Sequence, residues 1–191
     1  MNKSRRIYVF ASLFVVAIVG VVWRVHKPSL KKERAVVQQT SEIRDYVPEL
    51  HKAFIQKQFK ENWYSLIEPE DFDVNHMLDT HSPNSWEPHY TGKLNIVVLY
   101  QEGQPVGFGT YYLLNSVVGR IQFIAVDKEF RGKRYAQKLV NFAVNALKKM
   151  GAKSIKLSTR VNNESARKLY KRLGFPIVGE VKGFVRYRKE L

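Results

Sequence analysis

The sequence predicts an α/β domain with a mixed sheet and helices on both of its faces, preceded by one apolar segment. The 191 residues are 45% hydrophobic and 13% aromatic, which suits one domain with a substantial core rather than two. Stretches rich in β-branched and aromatic residues alternate with stretches whose apolar residues recur at the helical period. We therefore expect one globular domain at 35–191 with an N-terminal appendage.

The appendage contains an uncharged apolar segment at 7–23, between a basic flank at 1–6 and a basic linker at 24–34. As a helix it would rise about 25 Å, slightly less than the hydrocarbon core of a bilayer, and flanking arginines can extend this reach. We expect a retained single-pass transmembrane anchor. A cleaved signal peptide is the main alternative, although no small-x-small cleavage site follows, and a buried core helix is the other.

The basic residues on the two sides of this segment predict its orientation. Three Lys or Arg residues precede it and five follow it within the linker. Because positive residues concentrate on the cytoplasmic side, this count favours a membrane protein whose globular domain faces the cytoplasm.

The net charge of +15 is unevenly distributed along the chain. Residues 1–34 carry +7, residues 35–119 carry −6 and residues 120–191 carry +14. A strongly basic half is typical of a protein with a phosphate-bearing partner or an anionic membrane surface nearby. The absence of cysteine excludes disulfides, thiolate catalysis and Cys-based metal sites.

The first part of the domain predicts one strand and two helices. A short strand is expected at 35–39. A helix follows from Thr40 or Ser41 and carries apolar residues at the 3.6 period through Ile55, with Pro48 near its first turn. A second helix is expected from Pro69 to about residue 78, and a loop at 81–92.

The second part predicts six more strands and two more helices, giving the overall order β–α–α–β–β–β–α–β–α–β–β. Three strands lie within 93–127, broken at 102–105 and near 115–119. The remaining elements are a helix at 133–150, a strand at 153–161, a helix after Asn162 or Asn163 that ends at Gly174, and strands at 175–180 and 184–190.

The stretch 126–140, VDKEFRGKRYAQKLV, combines the end of a strand, a glycine among basic residues and the start of a helix. The unpaired N–H groups and the positive dipole of a helix start attract anions. Gly132 allows close approach of the backbone, while Arg131, Lys133 and Arg134 add charge. The pattern indicates a phosphate or pyrophosphate site, and a solvated basic helix start is the simpler alternative.

Two stretches, IAVDKEFRGKRYAQKLVNFAV and NNESARKLYKRLGF, resemble the GNAT superfamily of N-acetyltransferases. The resemblance implies a mostly antiparallel central sheet flanked by helices, acetyl-CoA as co-substrate and direct attack of a primary amine on the thioester. The family pattern [QR]-x-x-G-x-[GA] falls on Arg131, Gly132, Lys133, Arg134, Tyr135 and Ala136. Arg134 departs from it, because the family usually has glycine there.

The resemblance also implies roles for residues outside that pattern. The backbone of Ile124, Ala125 and Val126 would pair with the pantetheine amides, although the same residues suit an ordinary core strand. Asn163 would hydrogen-bond the cofactor, or cap a helix. Tyr170 would protonate the leaving thiolate, or extend an apolar helix stripe.

The general base is not evident from the sequence. Many family members have a glutamate where this chain has Arg120 and Gln122, neither of which accepts a proton at neutral pH. Ordered water and acids elsewhere are the alternatives. The other candidates considered as bases or ligands are Glu164, Glu180, His76, His81 and His89. These histidines lack regular ligand spacing, so no metal site is expected.

The acceptor class and two other functional interpretations remain open. The acidic stretch at 35–119 favours a cationic acceptor such as a polyamine, a lysine side chain or a protein N-terminus. The domain is alternatively a CoA-binding sensing or interaction module without turnover. A basic domain that binds a membrane surface or nucleic acid is the third interpretation, with nucleic acid disfavoured.

Overall fold

The computed structural model describes residues 40–66, 72–83 and 91–191. The predicted anchor at 7–23 and the predicted strand at 35–39 lie outside these residues. None of the helices in the described part of the chain combines the length and apolar character needed to cross a membrane.

The described residues form one sheet flanked by helices, in the order that the sequence predicts. The strands are β1 Ser41–Asp45, β2 Thr91–Gln101, β3 Gln104–Leu113, β4 Val118–Val126, β5 Ser154–Arg160, β6 Ile177–Val181 and β7 Phe184–Glu190. The helices are α1 Pro48–Leu66, α2 Val74–Thr80, α3 Tyr135–Lys149 and α4 Glu164–Arg172, with a 3-10 turn at Lys128–Phe130.

The predicted start of the first helix is wrong. Ser41–Asp45 is a strand that pairs with β2, with Ile43 opposite Leu99. The helix begins at Pro48, where a residue without an N–H costs no hydrogen bond and its fixed φ suits the first helical position. A single apolar residue in SEIRD fits either periodicity, so pairing with β2 decides the structure.

The second helix begins later than predicted, at Val74. Asp73 caps it by accepting a hydrogen bond from the backbone N–H of His76 at 2.9 Å. A side-chain acceptor at this position satisfies a donor that the helix itself leaves unpaired.

The sheet has the order β1-β2-β3-β4-β5-β7-β6 and is antiparallel except between β4 and β5. These two parallel strands pair over three positions, from Val118 with Ser154 to Arg120 with Lys156. Beyond Arg120 they diverge, while β5 remains paired with β7 along its length. The prediction of a mixed, mostly antiparallel sheet is confirmed.

Each face of the sheet carries its own apolar core. On one face α3 and α4 pack on residues that include Ile121, Ile155 and Leu157. On the other face α1 and α2 pack on residues that include Phe108 and Phe123. Helices therefore cover both faces, as predicted.

A β-bulge in β4 changes which face its residues occupy. Thr110 pairs with Phe123 and Tyr111 with Ile121, so Gln122 is the extra residue. Ile121 consequently packs on the α3 face and Phe123 on the α1 face, although two residues apart in a regular strand they would share a face. The bulge lies where β4 leaves β5.

Candidate active site

A cavity of about 820 Å³ opens where β4 separates from β5. Its walls come mainly from the end of α1, the second half of β4, the loop to α3, the first turn of α3, the end of β5, and α4. All but one of the site residues predicted from the sequence line it: Ile124, Ala125, Val126, Arg131, Gly132, Arg134, Tyr135, Ala136, Asn163 and Tyr170. The exception is Lys133, whose Nζ lies 5.1 Å from the centroid of the Phe130 ring.

The β4–α3 loop (residues 127–134) brings backbone N–H groups and cations to one end of the cavity. Gly132 has φ +82°, and a Cβ there would meet no atom within 4 Å, so backbone conformation rather than crowding favours glycine. Among the residues that the structure describes, no side chain caps the start of α3. Its first N–H groups and dipole therefore remain suited to an anion.

Arg134, which departs from the family pattern, occupies the residue that precedes α3. Its φ of 62° lies in the left-handed region that glycine adopts without strain. The side chain is exposed and lines the cavity. The arginine thus accepts backbone strain and adds a cation beside the helix start.

Tyr135, at the first position of α3, fixes this helix start against the sheet. Its ring is buried, and its hydroxyl donates to the side-chain oxygen of Gln101 at the end of β2. Burial raises the pKa of Tyr135, and the nearby Glu102 adds to this. This residue therefore positions the backbone of α3 relative to the cavity.

The predicted pantetheine strand, Ile124 to Val126, is paired on one side only by the strands that the structure describes. It pairs with β3 from Gly107 to Gly109, whereas the pairing with β5 has ended at Arg120. Its other edge borders the cavity. The Val126 carbonyl accepts a hydrogen bond from Arg131 Nε, and the remaining backbone groups of this edge are available to an extended ligand.

Tyr170 lies on α4 and lines the cavity, with 7% of the residue exposed. Its ring packs edge-on against Tyr187 and Phe175, at centroid distances of 5.3 and 6.1 Å. Burial raises the pKa of Tyr170 well above its usual value, and Tyr187 adds to this. The phenol therefore stays protonated and, among the described residues, its hydroxyl makes no hydrogen bond that would hold it away from a ligand.

Asn163 caps α4, because its Oδ1 accepts a hydrogen bond from the N–H of Ala166 at 3.1 Å. It also lines the cavity. The structure thus shows the capping role, and a ligand would have to use the side-chain NH₂ group instead.

The positions considered for a general base bring no carboxylate to the cavity. Arg120 and Gln122 line it, and the NH₂ group of Gln122 donates to the carbonyl of Pro83 at 2.7 Å. Glu164 is exposed and pairs with Lys168 at 3.1 Å, and Glu180 lies on the exposed strand β6.

The histidines do not form a metal site within the described residues. His76 lies on α2 and His81 ends that helix, whereas His89 lies outside the described ranges. Among the residues that the structure describes, no three His, Asp or Glu side chains are placed to hold a metal ion.

Helix α1 contributes contacts to the β4–α3 loop that the sequence did not indicate. Arg131 Nη2 donates to Asn62 Oδ1 at 2.5 Å, and Gln58 Nε2 donates to Asp127 Oδ2 at 3.0 Å. Lys57 Nζ lies 3.3 Å from the same carboxylate oxygen. Burial alone would raise the pKa of Asp127, but the Glu129 amide, Lys57 and Gln58 hold it below its usual value.

The charged residues lining the cavity are all cationic within the described part of the chain. They are Arg120, Arg131, Arg134, Lys168 and Arg172. Electrostatically, the cavity therefore suits a ligand that carries phosphates.

Comparisons with known proteins agree with this geometry. The acetyltransferase (GNAT) family matches residues 56–175. An uncharacterised N-acetyltransferase of Methanocaldococcus jannaschii is 37% identical over 95 residues, which cover 47% of this chain and 42% of that protein. N-alpha-acetyltransferase 30 of Schizosaccharomyces pombe is 44% identical over 57 residues, which cover 30% of this chain and 38% of that protein. The chain thus spans less than half of either relative.

The fold is also similar to that of solved structures. The paia N-acetyltransferase of Thermoplasma acidophilum, solved in complex with coenzyme A, matches with a TM-score of 0.60. The match covers 80% of this chain and all of that chain at 15% identity, so it supports the fold alone. The match to this family covers most of the chain, and the sheet splits at the cavity. The chain therefore belongs to the acetyltransferase (GNAT) family.

Proposed function

We propose that the protein is an acetyl-CoA-dependent N-acetyltransferase that transfers an acetyl group to a primary amine. One observation carries the proposal: a single cavity joins the uncapped start of α3 to the buried phenol of Tyr170. The family membership and the coenzyme A bound in a protein of similar fold support it.

In this proposal the donor runs from the β4–α3 loop along β4. The N–H groups at the start of α3, with Arg131 and Arg134, bind the pyrophosphate. The open backbone edge at Ile124 to Val126 pairs with the pantetheine amides, and this placement directs the thioester toward α4. Asn163 offers its NH₂ group, since its oxygen caps α4.

The reaction forms one bond and breaks another. The amine nitrogen attacks the acetyl carbonyl, a C–N bond forms, and the C–S bond breaks with its electron pair on sulfur. The nitrogen loses a proton to solvent or a base, and the thiolate gains one from Tyr170, which is then reprotonated from solvent. The products are an N-acetylated amine and coenzyme A.

The raised pKa of Tyr170 is compatible with this role. A phenol that stays protonated at neutral pH is always ready to donate. Proton transfer to an ordinary thiolate would be unfavourable, because thiols are stronger acids than phenols. A thiolate leaving into the same buried surroundings is destabilised by the same loss of solvation, which raises its own pKa and favours the transfer.

Kinetics of Tyr170→Phe test the proposal. We expect thiol release to slow by about 100-fold or more, the magnitude of a positioned acid, while calorimetry shows nearly unchanged affinity for coenzyme A. Tyr187→Phe is the matched control, because it removes a hydroxyl from the neighbouring buried ring, which does not line the cavity.

Two results would contradict the proposal in different ways. Unchanged turnover in Tyr170→Phe removes the proton-donor role. In the second result, the unsubstituted chain binds coenzyme A but releases no thiol from acetyl-CoA with any polyamine, lysine derivative or peptide with a free N-terminus. That result favours the sensing or interaction module.

We also propose that residues 7–23 anchor the protein in a membrane, with the domain in the cytoplasm. The support is the uncharged apolar segment and its flanking charges. A cytoplasmic domain would also have access to acetyl-CoA. The expectation of a cationic acceptor stays a prediction, since it depends only on the net charge of residues 35–119.

A further inference from the structure

A row of cations crosses the sheet beside the cavity, on the face that α1 and α2 occupy. Arg120 of β4 lies opposite Lys156 of β5, and Lys156 lies opposite Arg188 of β7. Arg120 also lies opposite Tyr112, which packs with α1 and α2. We call Arg120, Lys156 and Arg188 the cationic row.

The row is contiguous with the candidate active site. Arg120 lines the cavity itself. Ser158, the next residue of β5 on the same face as Lys156, lines it too and lies opposite the exposed Arg186. The row therefore leads outward from the cavity wall over β5 and β7.

Without a ligand, repulsion between the charges of the cationic row destabilises the sheet. Like charges placed directly opposite each other on neighbouring antiparallel strands destabilise a sheet, and Lys156 and Arg188 form such a pair. Glu190 on β7 offsets part of this charge, because its Oε1 lies 2.8 Å from Arg188 Nε. That pair is exposed, so its contribution is small. An anionic ligand lying across the row would reduce the remaining repulsion.

We propose that the cationic row binds an acidic polypeptide whose free amine enters the cavity, which would make acidic peptides the preferred acceptors. This inference rests on the proposed function, which it makes more specific. Neighbouring strands lie about 4.8 Å apart, so the row spans roughly 10 Å. That length matches three to four residues of an extended peptide. A row this short is smaller than the contact area of a flat membrane or a nucleic-acid duplex.

This acceptor differs from the cationic one that the net charge of residues 35–119 favours. Net charge over a long stretch does not say where the charges lie. Arg120 and Lys156 lie at and beside the cavity wall, so they bear more directly on the acceptor.

Binding of three peptides to the full chain, saturated with coenzyme A in a non-ionic detergent, tests the proposal. The probes are three labelled pentapeptides, each with a free N-terminus. Their second to fourth residues are acidic in the first peptide, uncharged amides in the second and basic in the third. We expect the acidic peptide to bind about tenfold more tightly than the amide peptide at low salt, with the difference shrinking at high salt because exposed charges are screened.

Charge-reversal variants locate the surface. Lys156→Glu and Arg188→Glu are each expected to weaken binding of the acidic peptide by about threefold to tenfold and to leave the amide peptide unaffected. Lys148→Glu is the matched control, because it makes the same change at an exposed position near the end of α3, away from the cavity.

Three outcomes overturn the proposal: equal affinity for the three peptides, a preference for the basic peptide, or equal loss in Lys148→Glu. The proposal is also overturned if the row variants lose binding to phosphatidylserine vesicles while the chain does not discriminate among the peptides. That result would assign the row to a membrane surface. If the acidic peptide binds tightly through the cationic row but causes no release of thiol from acetyl-CoA, the proposed function is contradicted instead. The row would then be a docking surface.

Discussion

Arg131 connects the β4–α3 loop to helix α1 through Asn62. Arg131 Nη2 donates to Asn62 Oδ1 at 2.5 Å, and its Nε donates to the carbonyl of Val126 at 3.1 Å. Two of the three guanidinium nitrogens thus bond to described residues of the protein, which leaves Nη1 to face a phosphate within this part of the chain. Asn62 also donates to the carbonyl of Gln58 at 2.9 Å, at the point where α1 kinks.

Asn62→Ala should weaken coenzyme A binding because it releases one side of the Arg131 guanidinium. We expect a dissociation constant about threefold to tenfold higher by calorimetry, since the hydrogen bond is charge-assisted but exposed. Gln56→Ala is the control, because it removes another exposed α1 side-chain contact, the 2.7 Å hydrogen bond to Asn75. Equal affinities in the two variants would show that Asn62 does not orient Arg131.

Arg134→Gly should separate backbone strain from charge. Glycine relieves the left-handed conformation, so the free energy of unfolding should rise by about 0.5–1 kcal/mol. The loss of one cation beside the start of α3 should weaken coenzyme A binding severalfold and reduce its dependence on salt. Chemical denaturation and calorimetry measure the two effects.

Lys182→Gly is the control for that change. Lys182 is also a cation with a positive φ, 49°, but it lies in the turn between β6 and β7 and does not line the cavity. It should gain similar stability without a change in coenzyme A affinity. If both variants lose affinity equally, the charge of Arg134 is not part of the binding site.

The sequence allowed prediction of the element order because the two halves of the domain differ in periodicity. The strands within 93–127 are rich in β-branched residues, and the helix predicted at 133–150, which is α3 in the structure, has a clear apolar face. The start of the domain was harder, because Ser41–Asp45 has one apolar residue and its pairing with β2 is a long-range contact.

The candidate site was predictable where its residues are contiguous. The pattern at 131–136 is a local signal, and all of it except Lys133 lines the cavity. The contact of Arg131 with Asn62 joins residues 69 positions apart, so no local pattern reveals it. The cationic row depends on strand register, which is likewise a long-range property.

His51 should make the stability of the fold depend on pH. The ring is buried, its Nδ1 accepts the N–H of Val47 at 2.7 Å, and its Nε2 lies 2.7 Å from the Tyr100 hydroxyl. Burial lowers its pKa, and the positive charge of Arg44 adds to this. The Val47 contact requires an unprotonated Nδ1, so the folded state holds the neutral ring.

The sign of the effect follows from that lowered pKa. Below about pH 6.5 the unfolded chain binds a proton that the folded chain does not, so the free energy of unfolding should fall as pH decreases from 7.5 to 5.5. Urea denaturation measures it. His51→Gln should be less stable but lose this slope, whereas His76→Gln should retain it. A slope unchanged in His51→Gln would assign it to other groups.

The full chain should remain in membranes through carbonate washing if residues 7–23 span the bilayer. As a helix, an uncharged segment of this length would be slightly short for the hydrocarbon core, and the basic flanks at 1–6 and 24–34 would extend its reach to the headgroups. Replacing Val15 and Val16 by aspartate should release the chain into the wash, because charges at the centre of a membrane helix are costly. The control is the replacement of Val36 and Val37, which lie beyond the linker, by aspartate. Recovery of a shortened chain in the soluble fraction would show cleavage instead.

Protease added to sealed, inside-out vesicles should digest the domain, because the five basic residues after the segment favour a cytoplasmic domain. Protection there, with digestion in right-side-out vesicles, would reverse the orientation and separate the domain from cytoplasmic acetyl-CoA.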